Sequence, residues 1–215
     1  TIAEGPPREA PGRLHVTPRF ASRYETERRW DDVRPEEKLP LLTRLNDRAF
    51  SLSDAIRKVS ITFGDEMSAI LIADSLGRIT EDVQPMTLLY LGCVAERNGA
   101  REQNTLGIAA RRDLSFYSEE RLETLARETV DRTLILFDAV QAPAGEMPVV
   151  LGAGASGILL HEAIGHGMEA DFNRKGTSIY ADRIGTRVAH PFVNIVDEGE
   201  TEGARGSLNV DDEGN

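Results

Sequence analysis

Apolar residues fall into two rhythms along this chain, and the switch between them organises the reading. From Pro35 to about residue 50 the period is helical, with Leu39, Leu42, Leu45, Ala49 and Phe50 as the predicted buried face. Pro35 suits the first turn of this helix, and the acids Glu36 and Glu37 suit the positive end of its dipole. The period then becomes two. Residues 59–66 (VSITFGDE), 67–74 (MSAILIAD), 78–83 (RITEDV), 86–97 (MTLLYLGCVAER) and 100–111 (AREQNTLGIAAR) each predict a strand. Asp74 to Gly77 and Asn98-Gly99 supply hairpin turns, the second with the type I′ signature. The helical period returns after Ser118, a capping residue followed by Glu119 and Glu120. This helix is expected to reach about residue 140, with Leu122, Leu125, Thr129, Thr133, Leu136 and Val140 buried.

These elements predict an α+β fold in which an antiparallel meander sheet packs against helices near 35–50 and 118–140. Residues 1–18 carry Pro, Gly and charge without a period and read as a linker or arm. Residues 19–142 form the expected α+β domain. The break APAGEMP (142–148) is the expected boundary, and 143–215 reads as the start of a second, catalytic domain. Within it, PVVLGAG predicts a short buried strand, and a helix is expected from near Ser156. The chain begins with Thr and stops in the turn-like DDEGN, so a middle piece of a longer protein is expected, truncated in both domains.

Composition narrows the function. Of 215 residues, 40% are hydrophobic, enough for a core. Lys plus Arg total 25 against 36 Asp plus Glu, a net charge of -11, which argues against nucleic-acid binding because the chain repels phosphate backbones. No apolar run approaches the roughly 20 residues of a membrane-spanning helix, so no membrane association is expected. Cys93 is the single cysteine; an internal disulfide is impossible, which fits a reducing compartment.

The candidate chemistry lies in HEAIGHG, residues 161–167. Zincin metallopeptidases use His-Glu-x-x-His, which sets two imidazoles about 40° apart on one helix face. Here the second histidine comes one residue later, about 140° away on a regular α-helix. A π-bulge would restore a common face, and Gly165 and Gly167 weaken regular helix at that place. His161 and His166 are then metal ligands, and Glu162 is the general base. The plainer alternative is two histidines that fell near a glutamate. A third protein ligand is also needed. Cys93 reads as a buried small hydrophobe and His190 as a surface residue, while Glu169 and Asp171 are candidates to orient an imidazole from behind. Two other readings stand beside this one. Gly152, Gly154 and Gly157 spell the dinucleotide-binding G-x-G-x-x-G, with Asp182 the nearest suitable acid, but no βαβ unit surrounds them. Alternatively, the meander's edges make the chain a non-catalytic module that pairs peptides or subunits.

The run MPVVLGAGASGILLHEAIGHGMEADFNRKGTS (147–178), with IVDEG (195–199) and GSLNVDDEGN (206–215), resembles the TldD/PmbA family, once called modulators of DNA gyrase, and its TldD branch in particular. The resemblance extends back, more weakly, through the meander. It implies a cytoplasmic zinc protease of unfolded peptides, often a dimer of the active subunit with an inactive PmbA-like one or with itself. It implies zinc on His161 and His166, catalysis by Glu162, and a cysteine as third ligand beyond residue 215. This chain alone is then expected to bind zinc weakly and to cleave nothing.

Overall fold

The computed structural model describes residues 12–17, 21–24, 26–154 and 156–215; the remainder of the expected arm over 1–18 lies outside the described residues. The fold is α+β. In chain order its elements are strand β1 (His15–Val16), helix α1 (Pro35–Ser51), strands β2 (Ile56–Ala73), β3 (Arg78–Arg97) and β4 (Ala100–Ala110), helix α2 (Glu119–Leu134), and short helices α3 (Gly157–Leu160), α4 (His166–Met168) and α5 (Ala170–Arg174), with a π turn at His161–Gly165 between α3 and α4. The chain divides into two compact units. One comprises Thr1–Val140 together with Glu198–Asn215, the other Gln141–Asp197.

In the first unit β3 is the central strand. It pairs antiparallel with β2 from Ile79 to Ala95 and with β4 from Thr87 to Arg97, and parallel with β1 at Arg78 and Ile79. The four strands expected over 59–97 are therefore two long ones. The alternation Val59, Ile61, Phe63, Met67 runs unbroken through Gly64, Asp65 and Glu66, and all four apolar residues pack against the core. A Cβ on Gly64 would stand 3.2 Å from Leu88 Cγ, so the glycine admits the neighbouring leucine without ending the strand. Pro85 does not split β3, because it lies between the ends of the β1 and β4 ladders, where β3 has one strand neighbour. Both turns form as expected: Asp74 Oδ1 accepts from the amides of Leu76 and Arg78, and Asn98 and Gly99 have φ of 51° and 81°.

Two helices cover one face of this sheet. In α1 the Glu37 carboxylate accepts the Arg34 amide at 3.0 Å, closing the first turn. Its buried residues are Leu41, Leu45 and Ala49; Leu39 and Phe50, expected inside, are 57% and 41% exposed. Leu45 and Ala49 are buried as expected and Leu42 packs against the core, but the buried face is rotated toward Leu41 and away from Leu39 and Phe50. In α2 Ser118 accepts the Arg121 amide, and Leu122, Leu125, Thr129 and Thr133 are buried as expected. The threonine hydroxyls donate to the carbonyls four residues back, Thr129 to Leu125 and Thr133 to Thr129, each at 2.7 Å, so neither hydroxyl is stranded in the core. The helix stops at Leu134, however, and a tighter 3₁₀ turn over Ile135–Asp138 rotates the stripe outward. Leu136 and Val140 are accordingly exposed.

The segment after Glu198 closes the first unit. The Gly203 carbonyl accepts the Arg111 amide, and the Gly203 amide donates to the Arg23 carbonyl. Asn209 accepts the Arg23 amide and donates to Asp82 at 3.0 Å, while the buried Tyr24 hydroxyl donates to the same carboxylate. These contacts fill the stretch of β3 that lacks a second strand.

In the second unit the buried strand expected at PVVLGAG is absent: Val149, Val150 and Leu151 are exposed, and no strand forms there. An apolar run becomes a strand only when a neighbour takes its backbone hydrogen bonds. The glycine fingerprint consequently has no strand before it, and α3 is four residues long. Among the described residues, no helix is long and apolar enough to cross a membrane.

Candidate metal centre

The helix begins at Gly157, and its backbone stays right-handed through His161, Gly165 and His166. One hydrogen bond sets the geometry: the His166 amide donates to the carbonyl of His161, five residues back. A regular α-helix would bond four back. The extra residue in this turn cancels the angular excess of the His-Glu-x-x-x-His spacing. The imidazoles of His161 and His166 come to 4.4 Å between ring centres, inclined at 65°. Glu162 stands with them, its Oε2 3.7 Å from His166 Nε2 and its Oε1 4.0 Å from His161 Nε2. Ligand-capable atoms of the three residues all lie within 4.8 Å of one another.

The two glycines contribute differently. A Cβ on Gly165 would meet His161 Nδ1 at 3.4 Å, an ordinary contact. A Cβ on Gly167 would come within 2.9 Å of the Tyr180 ring, so Gly167 is the position where the helix needs a bare backbone. Its carbonyl accepts from the Ser178 hydroxyl and from Asn173 Nδ2. The helix then breaks at Glu169, whose ψ of 139° starts α5. The break brings the Glu169 carboxylate back to His166, 2.7 Å from Nδ1. An ionised carboxylate there favours, in a neutral imidazole, the tautomer with the proton on Nδ1, whose Nε2 lone pair lies on the side of Glu162.

The other candidates fall elsewhere. Asp171 pairs with Lys175 at 3.3 Å. His190 is exposed and packs on Phe192. Cys93 is 1% exposed in β3, in the other compact unit, and burial pushes its thiol up to about 11, the behaviour of a core residue and not of a ready metal ligand. The ties from Ser178 and Asn173 escaped the sequence reading. The chain reversal at Gly176 returns Ser178 to the helix, Asn173 reaches Gly167 from α5, and Gly167 is the one local sign of a close neighbour.

Two imidazoles and a carboxylate converging on one point suit zinc, with one protein ligand still to be supplied. Beside His161 lies a cavity of 280 Å³ lined in part by Ile164, Met168, Glu169, Ile195 and Val196, room for an apolar group next to that imidazole; Glu162 and His166 do not line it.

A helix that presents such a His-Glu-His cluster has the makings of a metallopeptidase centre. The chain belongs to the PmbA/TldA metallopeptidase family: residues 28–137 match its central domain and residues 144–215 its C-terminal domain. It is 39% identical over 198 residues to a metalloprotease TldD homologue of Haemophilus influenzae, covering 90% of this chain and 41% of that protein. It is 32% identical over 187 residues to a metalloprotease of Methanocaldococcus jannaschii, covering 85% and 40%. A zinc metalloprotease TldD homologue of Saccharolobus solfataricus is 29% identical over 181 residues, covering 83% and 40%. The fold is shared with a modulator of DNA gyrase from Bacteroides thetaiotaomicron, at a TM-score of 0.73 and 15% identity, over 96% of this chain and 46% of that one. The chain thus spans about two fifths of the length of the curated relatives it matches.

Proposed function

We propose that the intact protein is a zinc-dependent peptidase that cleaves unfolded peptides and protein segments, with His161 and His166 holding the metal and Glu162 as general base. The observation that carries this reading is the π turn over His161–Gly165, in which the His166 amide donates to the His161 carbonyl and the two imidazole ring centres stand 4.4 Å apart. Zinc, when bound, acidifies a water and polarises the scissile carbonyl. Glu162 takes the water's proton and passes it to the leaving amine; Glu169 keeps His166 in the tautomer whose Nε2 is free. We place the third ligand outside this chain. On the same footing we propose a cytoplasmic enzyme, in keeping with its lone buried Cys93, that works as a dimer with a PmbA-like subunit or with itself.

The test uses the longer protein. Glu162→Gln should retain zinc, because both imidazoles remain, and should lose peptide cleavage by about 10²–10⁴-fold. A chelator should abolish cleavage in the unmodified enzyme. Near-normal turnover of the variant removes Glu162 from its role. In the 215-residue chain alone, zinc should be lost on dialysis; stoichiometric retention would place a third ligand within it, with His190, Glu169 and Asp171 the first to substitute.

A further inference from the structure

In an unbroken helix the Gly167 carbonyl would accept the amide of Asp171, four residues on. The break at Glu169 removes that partner, and the side chain of Asn173 takes its place. Asn173 Nδ2 donates to the Gly167 carbonyl at 3.2 Å and to the Glu169 carbonyl at 2.8 Å. Both partners are carbonyl oxygens, so the amide presents its nitrogen, which has one N–H for each. The Glu169 carbonyl also accepts the Asn173 amide at 3.1 Å. One residue thus ties the last turn of the metal helix to the first turn of α5, with Glu169 between them. We propose that Asn173 is a positioning residue for His166 and acts on it through Glu169.

The Glu169 side chain does not cap α5; it turns back to His166. Its reach to Nδ1 depends on where the Glu169 Cα stands, and the two Asn173 bonds hold a carbonyl on either side of that atom. Ser178 separates this effect from plain support of the helix end, because its hydroxyl donates to the Gly167 carbonyl and not to that of Glu169. Two carboxylates flank the His166 ring: Glu169 at 2.7 Å from Nδ1 and Glu162 at 3.7 Å from Nε2. With Glu169 held in place, the nearer carboxylate draws the proton of a neutral ring to Nδ1. With Glu169 released, Glu162 is the carboxylate that remains, and the proton moves to Nε2, the nitrogen a metal would need. The consequence for zinc rests on the function proposed above; the contact between Asn173 and Glu169 does not.

The test uses Asn173→Leu in the longer protein. Leucine matches asparagine in shape, removes both donors and is the better helix former, so α5 is kept. In the metal-free protein, at a pH that keeps the ring neutral, nitrogen NMR of His166 should place the proton on Nδ1 in the unmodified protein and in Ser178→Ala. It should place the proton mainly on Nε2 in Asn173→Leu and in Glu169→Ala. Zinc affinity, read by competition with a chelator, should fall about 10-fold in Asn173→Leu. Added to Glu169→Ala, the same substitution should cost no further affinity, because the route through Glu169 is already gone. A residue that merely supports the fold would lower affinity by the same factor in both backgrounds, and that result would overturn the proposal. So would an unchanged tautomer in Asn173→Leu, the same change in Ser178→Ala, or loss of amide protection along residues 157–168 in Asn173→Leu. The tautomer is read without metal, so it decides the role of Asn173 separately from the role of zinc.

Discussion

Glu169 and His166 are three residues apart on opposite sides of a helix break, and the carboxylate of the first stands 2.7 Å from Nδ1 of the second. The break makes the contact possible: it ends the metal-bearing helix one residue after Met168 and leaves Glu169 free to reach back. The carboxylate therefore acts on the ring from the Nδ1 side, while Glu162 stands on the Nε2 side.

Removing that carboxylate should loosen the metal without removing a ligand. In the longer protein, Glu169→Ala should weaken zinc binding by about 10–100-fold, the usual effect of losing a histidine's outer partner. Glu169→Gln keeps an acceptor oxygen and should recover most of the affinity. Competition against a chromogenic chelator measures both. Equal affinities for all three proteins would show that the contact does not orient His166.

The two helix glycines should respond in opposite directions. Gly165→Ala adds a Cβ in ordinary contact with His161 and replaces a poor helix former, so stability should hold or rise by up to about 1 kcal/mol. Gly167→Ala drives a Cβ into the Tyr180 ring and should destabilise the segment by about 1–3 kcal/mol. Tyr180→Ala should relieve the second substitution in part. Amide hydrogen exchange over residues 157–175 reads all three; protection unchanged in Gly167→Ala would contradict the packing.

Alkali should unfold the sheet unit gradually. Burial pushes the Cys93 thiol from 9.0 up to about 11. It does the same for the Tyr117 hydroxyl, from 10.0 to about 12, and for Tyr24, from 10.0 to about 12 with the Asp82 hydrogen bond adding to it. A folded-state value above the unfolded one means the unfolded chain loses its proton first. The stability these groups contribute is complete below pH 9, falls as pH rises, and is gone above about pH 12. Each displacement of this size corresponds to about 3 kcal/mol. Urea midpoints taken from about pH 8 to about pH 12 should therefore decline, and Cys93→Ala should flatten the first part of the decline. A midpoint constant across this range would mean the three groups are not shielded from water.

The sequence made some of this visible and hid the rest for identifiable reasons. Asn98-Gly99 was legible because few pairs other than Asn-Gly tolerate two left-handed residues in succession. Leu122, Leu125, Thr129 and Thr133 were legible because they are the only stripe their helix offers. In α1 Leu45 and Ala49 were legible, but periodicity could not tell whether Leu41 or Leu39 and Phe50 completes their face before the sheet is in place. Val149 and Val150 read as a buried strand because hydrophobicity carries no information about a backbone partner. The π turn followed from the histidine spacing and the flanking glycines. The contact of Ser178 with Gly167 depends on the chain reversal at Gly176, and that of Asn173 on the helix break at Glu169, where local pattern has no reach.

The return of Glu198–Asn215 to the body that the chain left at Val140 has a topological consequence. The His-Glu-His helix is carried on a closed loop, not on a tail. A single proteolytic nick between Gln141 and Asp197 would leave both halves anchored, one through the covalent run from α2 and the other through the Gly203 and Asn209 contacts. Two cuts would be needed to shed the helix. An event that strips both the Gly203 and the Asn209 contacts frees one end of the loop, so the security of the histidines is tied to a polar knot that touches neither of them.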